Sequence, residues 1–241
     1  MFMAGVTSQR PNTSTRMRRT AGAAIFDCSP ADLLVPEDRL KQFRDQIGWY
    51  VDDAGSGAYS SLDVPILHAD WAGEYDFKTC FLNPCLMRLY IALIRGPSAA
   101  TTQLKHDKAK AGSEVILSIQ KCENMEHIFI MDHTEPGAIA GSAVLAIWAL
   151  SADTSLRDRG DRTSIDYGAR FDQYLEILLV GLREKSESIL NIFKEWDRVV
   201  FPNSESGYAG TIQSGPGDGG NQRALEALRA EKQAAAEGDT H

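Results

Sequence analysis

No stretch of this 241-residue chain stays apolar for the roughly 18–20 residues that a membrane-crossing helix needs, so the sequence predicts no membrane span. Cysteine is scarce. Four cysteines at irregular spacing make no disulfide framework and point to a reducing, intracellular setting, cytoplasmic or nuclear. The start lacks an unbroken apolar segment behind basic residues, which argues against a secretory leader. Positive charge is also short: 25 Lys and Arg stand against 33 Asp and Glu, for a net charge of −8. Such a body lacks the electrostatic footprint of a phosphate-binding module, and its field opposes nucleic acid. Catalytic signatures are missing as well: no HExxH, no nucleophile elbow and no glycine loop set behind a strand to cradle phosphate.

A hydrophobic fraction of 43% is ordinary for a folded chain and too high for wholesale disorder. The chain divides into three parts. Residues 1–31 read as a disordered basic arm, rich in Ser, Thr, Gly and Ala, with Arg10, Arg16, Arg18 and Arg19 against Asp27 alone. The same acid-free composition up to Phe26 is that of a mitochondrial transit peptide, kept as the alternative compartment. Residues 32–203 form the predicted helical domain. Residues 204–241 read as a Gly/Ser-rich linker and a weak C-terminal helix with Leu225 and Leu228 as its large apolar residues.

Helix signals punctuate the middle part. Pro36-Glu37-Asp38 opens a stripe of Leu40, Phe43, Ile47 and Tyr50. Asn83-Pro84 caps a helix to about Ile94, closed by Gly96-Pro97-Ser98, and the polar run from Ala99 to Gly112 reads as a mobile connection. The apolar runs at 114–119 and 128–131 suit strand or helix equally. Thr134 before Glu135-Pro136 caps an Ala-rich helix, apolar on every side, which belongs at the centre of a core. Asp166 caps a helix carrying Phe171, Tyr174, Leu175, Leu178, Leu179 and Leu182; another from about Glu187 carries Ile189, Ile192, Phe193, Trp196 and Val200 until Pro202 stops it. The expected fold is mostly α: a single irregular domain of five or six helices around the Ala-rich one, with disordered N- and C-terminal arms.

The residues with chemical potential favour structural roles. Cys80-x4-Cys85, with Cys28 and Cys122, lacks the paired short spacings of a zinc site and reads as buried thiols, so no metal or cofactor is expected. His127 and His133 flank an apolar segment without a partner motif. Asp153, Asp158, Asp161 and Asp166 miss the calcium-loop spacing and read as a solvated loop ending in a cap. The aromatic stretch Trp71, Tyr75, Phe77 and Phe81 has no clean period, so part of it is expected to remain exposed as a protein contact, against the alternative of a lid that closes the core.

Several segments in order carry a resemblance: Phe77-Lys78 through Leu93 to Gly96-Pro97-Ser98, His127 through Leu150-Ser151, Phe171-x-x-Tyr174, and Trp196 to Pro202. Together they resemble an uncharacterised helical family, a domain of unknown function expanded in mushroom-forming fungi, over about residues 65–203. Two departures stand out: only Ala69-Asp70-Trp71 is reminiscent of the family's upstream Cys/Asp-Trp region, and its Thr-Pro step is Thr134-Glu135-Pro136 here. The resemblance implies no catalytic residue and no ligand. The sequence therefore leans towards a non-catalytic protein-interaction domain with an unidentified protein partner. An accessory protein associated with nucleic acid or mobile elements stands second, and an enzyme with a dispersed active site third.

Overall fold

Asn83 starts the helix that organises the packing. In the computed structural model, which describes residues 15, 17–110 and 132–202, its side-chain oxygen accepts the Cys85 N–H at 3.0 Å. Pro84 takes the first position, where no N–H is needed, of what we number α4 (Pro84–Arg95). Gly96, at φ +95°, ends it in a conformation that side chains resist. The chain then restarts at once as α5 (Pro97–Lys110), where a mobile connection was expected. Ala100 is buried, Ala99 packs against the core, and Arg88 of α4 holds Asp107 at 3.0 Å. Tertiary contact thus supplies what a weakly amphipathic sequence lacks.

Three longer helices complete the core: α6 (Pro136–Leu150), α7 (Tyr167–Arg183) and α8 (Glu187–Val200). As expected, α6 is central, with Ile139, Ala140, Ala143, Ala146, Ile147, Trp148 and Leu150 buried. Its small side chains let α4 and α7 approach it, and α8 closes the far side against α4 and α7. Thr134 is not its cap. Glu135 holds the N-cap position, while Thr134 is buried with its N–H donated to Asp197 at 2.7 Å. Asp166 does cap α7, accepting the Ala169 N–H at 2.8 Å. Trp196 of α8 reaches through the core to donate to the Phe81 carbonyl at 2.8 Å.

The disordered-arm expectation is corrected from Met17 onward. A π-helical turn (Met17–Ala21) runs into α1 (Gly22–Phe26) and α2 (Pro30–Leu34), with Ala21, Ile25 and Leu33 in the core. Ser29 accepts the Ala31 N–H while Asp32 reaches back to the Ser29 N–H, a capping box. The apolar spacing of Met17, Ala21 and Ile25 covers only two turns, too short to stand out in an Arg- and Ser-rich context. Likewise the stripe from Leu40 to Tyr50 is cut. The helix α3 (Pro36–Phe43) stops, and Gly48 turns the chain into an antiparallel hairpin of β1 (Trp49–Val51) and β2 (Gly57–Tyr59). Phe43 and Ile47 stay buried, whereas Leu40 and Tyr50 face outward. Trp49 pairs with Tyr59, Tyr50 with Ala58 and Val51 with Gly57. Eight α-helices, the π-helical turn, two 3-10 turns (Asp45–Ile47 and Pro65–Leu67) and this hairpin make up the regular structure of the described residues, more helices than expected, because α1, α2 and α5 fold where an arm and a connection were expected. The runs at 114–119 and 128–131, Cys122, His127 and the tail from 204 lie outside the described residues.

Candidate functional site

The four aromatics singled out in the sequence part company. Phe81 is 1% exposed, set edge-on to Tyr174 with ring centres 5.4 Å apart, and belongs to the core, so the structure withdraws it as a contact. Trp71 and Tyr75 close over His68 at 4.8 and 5.6 Å, and Phe77 stands on Tyr75 at 5.9 Å with its outer edge in solvent. His68 is sealed beneath them. Its Nδ1 meets the Thr79 hydroxyl at 3.1 Å, and burial lowers its affinity for a proton below the usual imidazole value. Cys80 and Cys85 are free, buried thiols, each pushed up to about 12 by desolvation, which holds them as unreactive thiols at neutral pH. His133 is exposed beside Asp132 at 2.6 Å. Among the described residues, no cluster of three His, Cys, Asp or Glu side chains could hold a metal.

The loop after α6 holds a feature that its acidic composition concealed. Asp153 is fully buried rather than solvated. One carboxylate oxygen accepts the backbone N–H groups of Arg162 and Thr163 at 2.7 and 2.9 Å. The other accepts the hydroxyls of Thr163, Tyr167 and Ser151 at 2.5, 2.6 and 3.3 Å. Above it, two arginines from the N-terminal helices satisfy carbonyls at the C-terminal end of α6. Arg18 lies over the Trp148 ring at 3.7 Å and donates to the carbonyls of Trp148 and Asp153. Arg39 donates to Ser151 at 2.6 Å and to Leu33 at 2.7 Å. Cations at a helix C-terminus oppose its partial negative charge, and the orphan carbonyls gain donors. Burial and mutual repulsion hold the Arg18 guanidinium down to about 9.

Asp153 thereby fixes the turn 162–166, and this turn forms one wall of a groove of about 900 Å³. The hairpin lines it as well, through Trp49, Tyr50, Ala58 and Tyr59, together with Leu40, Ser60 and Ser61. Helix α7 lines the groove through Ala169, Arg170 and Gln173. Trp49 lies across Gly57 so closely that a Cβ there would sit 1.7 Å from its ring, which requires glycine at this position of β2. The Arg44 guanidinium stands 5.1 Å over the outer face of Trp49.

Three arginines line the groove, and they differ in what balances them. Arg162 pairs with Glu37 at 2.6 Å, and Arg44 with Asp45 at 3.4 Å; both pairs are in solvent. Arg170 is only 5% exposed. Its Nη2 donates to the Tyr59 carbonyl at 3.2 Å, its Nη1 has no hydrogen-bond partner, and among the described residues no acid pairs with it. The Tyr174 phenol beside it spends its proton on the Ser61 carbonyl at 2.6 Å. A buried charge without a counter-charge is costly. The sequence holds a signal for Arg170: it falls on the same α7 face as Tyr167, Tyr174 and Leu178, all buried, so a charge sits where the period calls for an apolar residue.

The chain belongs to the family of unknown function DUF6698, whose model matches residues 31–201. No curated protein and no solved structure matches the chain. The family model thus covers the path from Ala31 in α2 to the end of α8, and with it the groove, Asp153 and Arg170.

Proposed function

We propose that this domain is a non-catalytic module that binds another protein, and that the partner docks in the groove between the hairpin and α7. The observation that carries this reading is Arg170: an unbalanced, buried guanidinium lining a groove whose volume falls within the roughly 300–1,000 Å³ usual for ligand sites. Leu40 and Tyr50, two large apolar side chains in solvent, lie in the same groove and supply contact area. The high-pKa thiols and the sealed His68 support a binding role over a catalytic one, and the free thiols support an intracellular setting, cytoplasmic or nuclear. A nucleic-acid partner draws less support, because the net charge is −8 and Arg18 of the basic arm is buried against α6. No helix among the described residues is long and apolar enough to cross a membrane.

Trp71, Tyr75 and Phe77 form the second candidate contact, favoured by the exposed edge of Phe77. The two surfaces separate by substitution. Ala169 is exposed and lines the groove, so Ala169→Trp fills it without touching the core; Lys194→Trp, exposed on α8, adds the same ring elsewhere. Partners captured from native cell extract by the wild type and by K194W, and lost with A169W, are the expected outcome. Retention by A169W with loss in Phe77→Ala moves the interface to the aromatic cluster.

A further inference from the structure

We infer that the groove recognises a carboxylate borne by a polypeptide and disfavours a phosphate in the same place; this rests on the groove being the docking site. The lining arginines Arg44 and Arg162 already face Asp45 and Glu37, which leaves Arg170 as the single unmatched cation. Asp166 lines the groove as well, a carboxylate held there by its N-cap bond to Ala169. Counted with Asp166, the three arginines meet three carboxylates, so what invites an anion is the free Nη1 of the buried Arg170 rather than net charge, and a monoanion meets less repulsion from Asp166 than a phosphate dianion does.

Because Arg170 is 5% exposed, a carboxylate arriving there acts in a reduced dielectric, where charge pairing is stronger than at the surface. The guanidinium also keeps a donor in reserve: Nη2 donates to the Tyr59 carbonyl at 3.2 Å, while Nη1 has no partner. The hydroxyl-bearing residues Ser61 and Ser164 line the groove and can donate to the second carboxylate oxygen. Leu40, Trp49 and Tyr50 offer apolar and aromatic surface to the residues flanking the acid. The ligand class is thus an acidic peptide segment with apolar neighbours, presenting its carboxylate either from a side chain or from a chain end.

The test uses the full chain and four peptides, titrated at millimolar concentration and followed by the NMR signals of the Arg170 guanidinium and of Tyr59 and Ser61. The first, acetyl-Leu-Glu-Leu-Tyr amide, carries a side-chain carboxylate only. The second replaces glutamate by glutamine and ends in a free carboxylate. The third is the glutamine peptide amidated, without charge, and the fourth carries phosphoserine in the glutamate position. Binding of the first or second about tenfold tighter than the third, with the ratio lost in Arg170→Met and kept in Arg170→Lys, supports the proposal and names the source of the carboxylate. Equal binding of charged and neutral peptides overturns it and leaves the groove as a docking site. Tighter binding of the phosphopeptide than of both carboxylates overturns the charge assignment. Absence of shifts at Arg170, Tyr59 and Ser61 with all four peptides overturns the groove itself. R170M also removes a buried unbalanced charge, so its thermal midpoint is expected to equal or exceed that of the wild type; a fall of more than about 5 °C makes Arg170 a structural residue and overturns the proposal.

Discussion

Replacing Asp153 by alanine removes a carboxylate that accepts two backbone N–H groups and three hydroxyls while fully buried. Hydrogen bonds to a charged acceptor each contribute roughly 1.5–3 kcal/mol, but the hydroxyls of Ser151, Thr163 and Tyr167 can turn towards one another and water can enter. The two backbone donors have no such freedom, and Arg18 and Arg39 lose a nearby counter-charge. The net cost of removing one partner from a buried charged network is roughly 3–5 kcal/mol. Against a total stability of about 5–15 kcal/mol, this is a large share, equivalent to a fall of roughly 6–20 °C in thermal midpoint for a chain of this size. Asp153→Asn separates shape from charge. The amide oxygen can keep Arg162 and Thr163, and the two N–H groups of the amide can donate to two of the three hydroxyls. D153N is therefore expected to lie between the wild type and D153A. Differential scanning calorimetry, with near-UV circular dichroism to follow the Tyr167 and Trp148 surroundings, reads both variants. A D153A midpoint within about 2 °C of the wild type refutes the account, and so does a D153N variant as damaged as D153A.

Three further outcomes follow from local geometry. Burial lowers the His68 pKa from 6.5, so the unfolded chain binds the proton first and stability falls as pH drops from about 6.5 towards the folded-state value; His68→Phe keeps the ring contacts and should lose this part of the acid sensitivity in pH-dependent urea melts. Gly57→Ala drives Trp49 off the hairpin and away from Arg44, at a cost of about 1–3 kcal/mol, and tryptophan fluorescence should report the more solvated ring. Ala143→Leu overpacks the buried face of α6 and should cost about 1–3 kcal/mol by urea titration, whereas an unaltered midpoint denies that α6 is central.

The helices α4, α6, α7 and α8 were legible because their signals are local. Asn83-Pro84, Asp166 and Pro202 act within a few residues of themselves, and the apolar stripes repeat for three turns or more. What escaped depends on distant partners. Met17 to Leu33 has the composition of a disordered arm, and its helices persist because Arg18 reaches carbonyls on the far side of the sequence and Arg88 holds the Ile25 carbonyl at 2.8 Å. No window of sequence contains both ends of such a bond. The hairpin was hidden for a related reason: its strands have three residues each, below the length at which alternation can be seen. Of the site, Trp71, Tyr75 and Phe77 were visible as aromatics, and Phe81 was misplaced because its burial is set by Tyr174 and Trp196 on other helices.

The same distinction explains why the groove could not be read directly from the chain. Its acids and arginines look alike in sequence, a scatter of surface charge on an acidic protein, yet they sort into three environments. Asp153 is buried and satisfied on both oxygens, so it shapes the wall. Glu37 and Arg162 meet in solvent, where an ion pair contributes little beyond orientation. Arg170 is buried and unmatched. Stability alone would favour an apolar residue there, given Tyr167, Tyr174 and Leu178 on the same face. A charge kept at such a position has a physical rationale when an external anion completes it. With a carboxylate in place, Arg170 gains the acceptor that its Nη1 lacks and contributes to the stability of the complex.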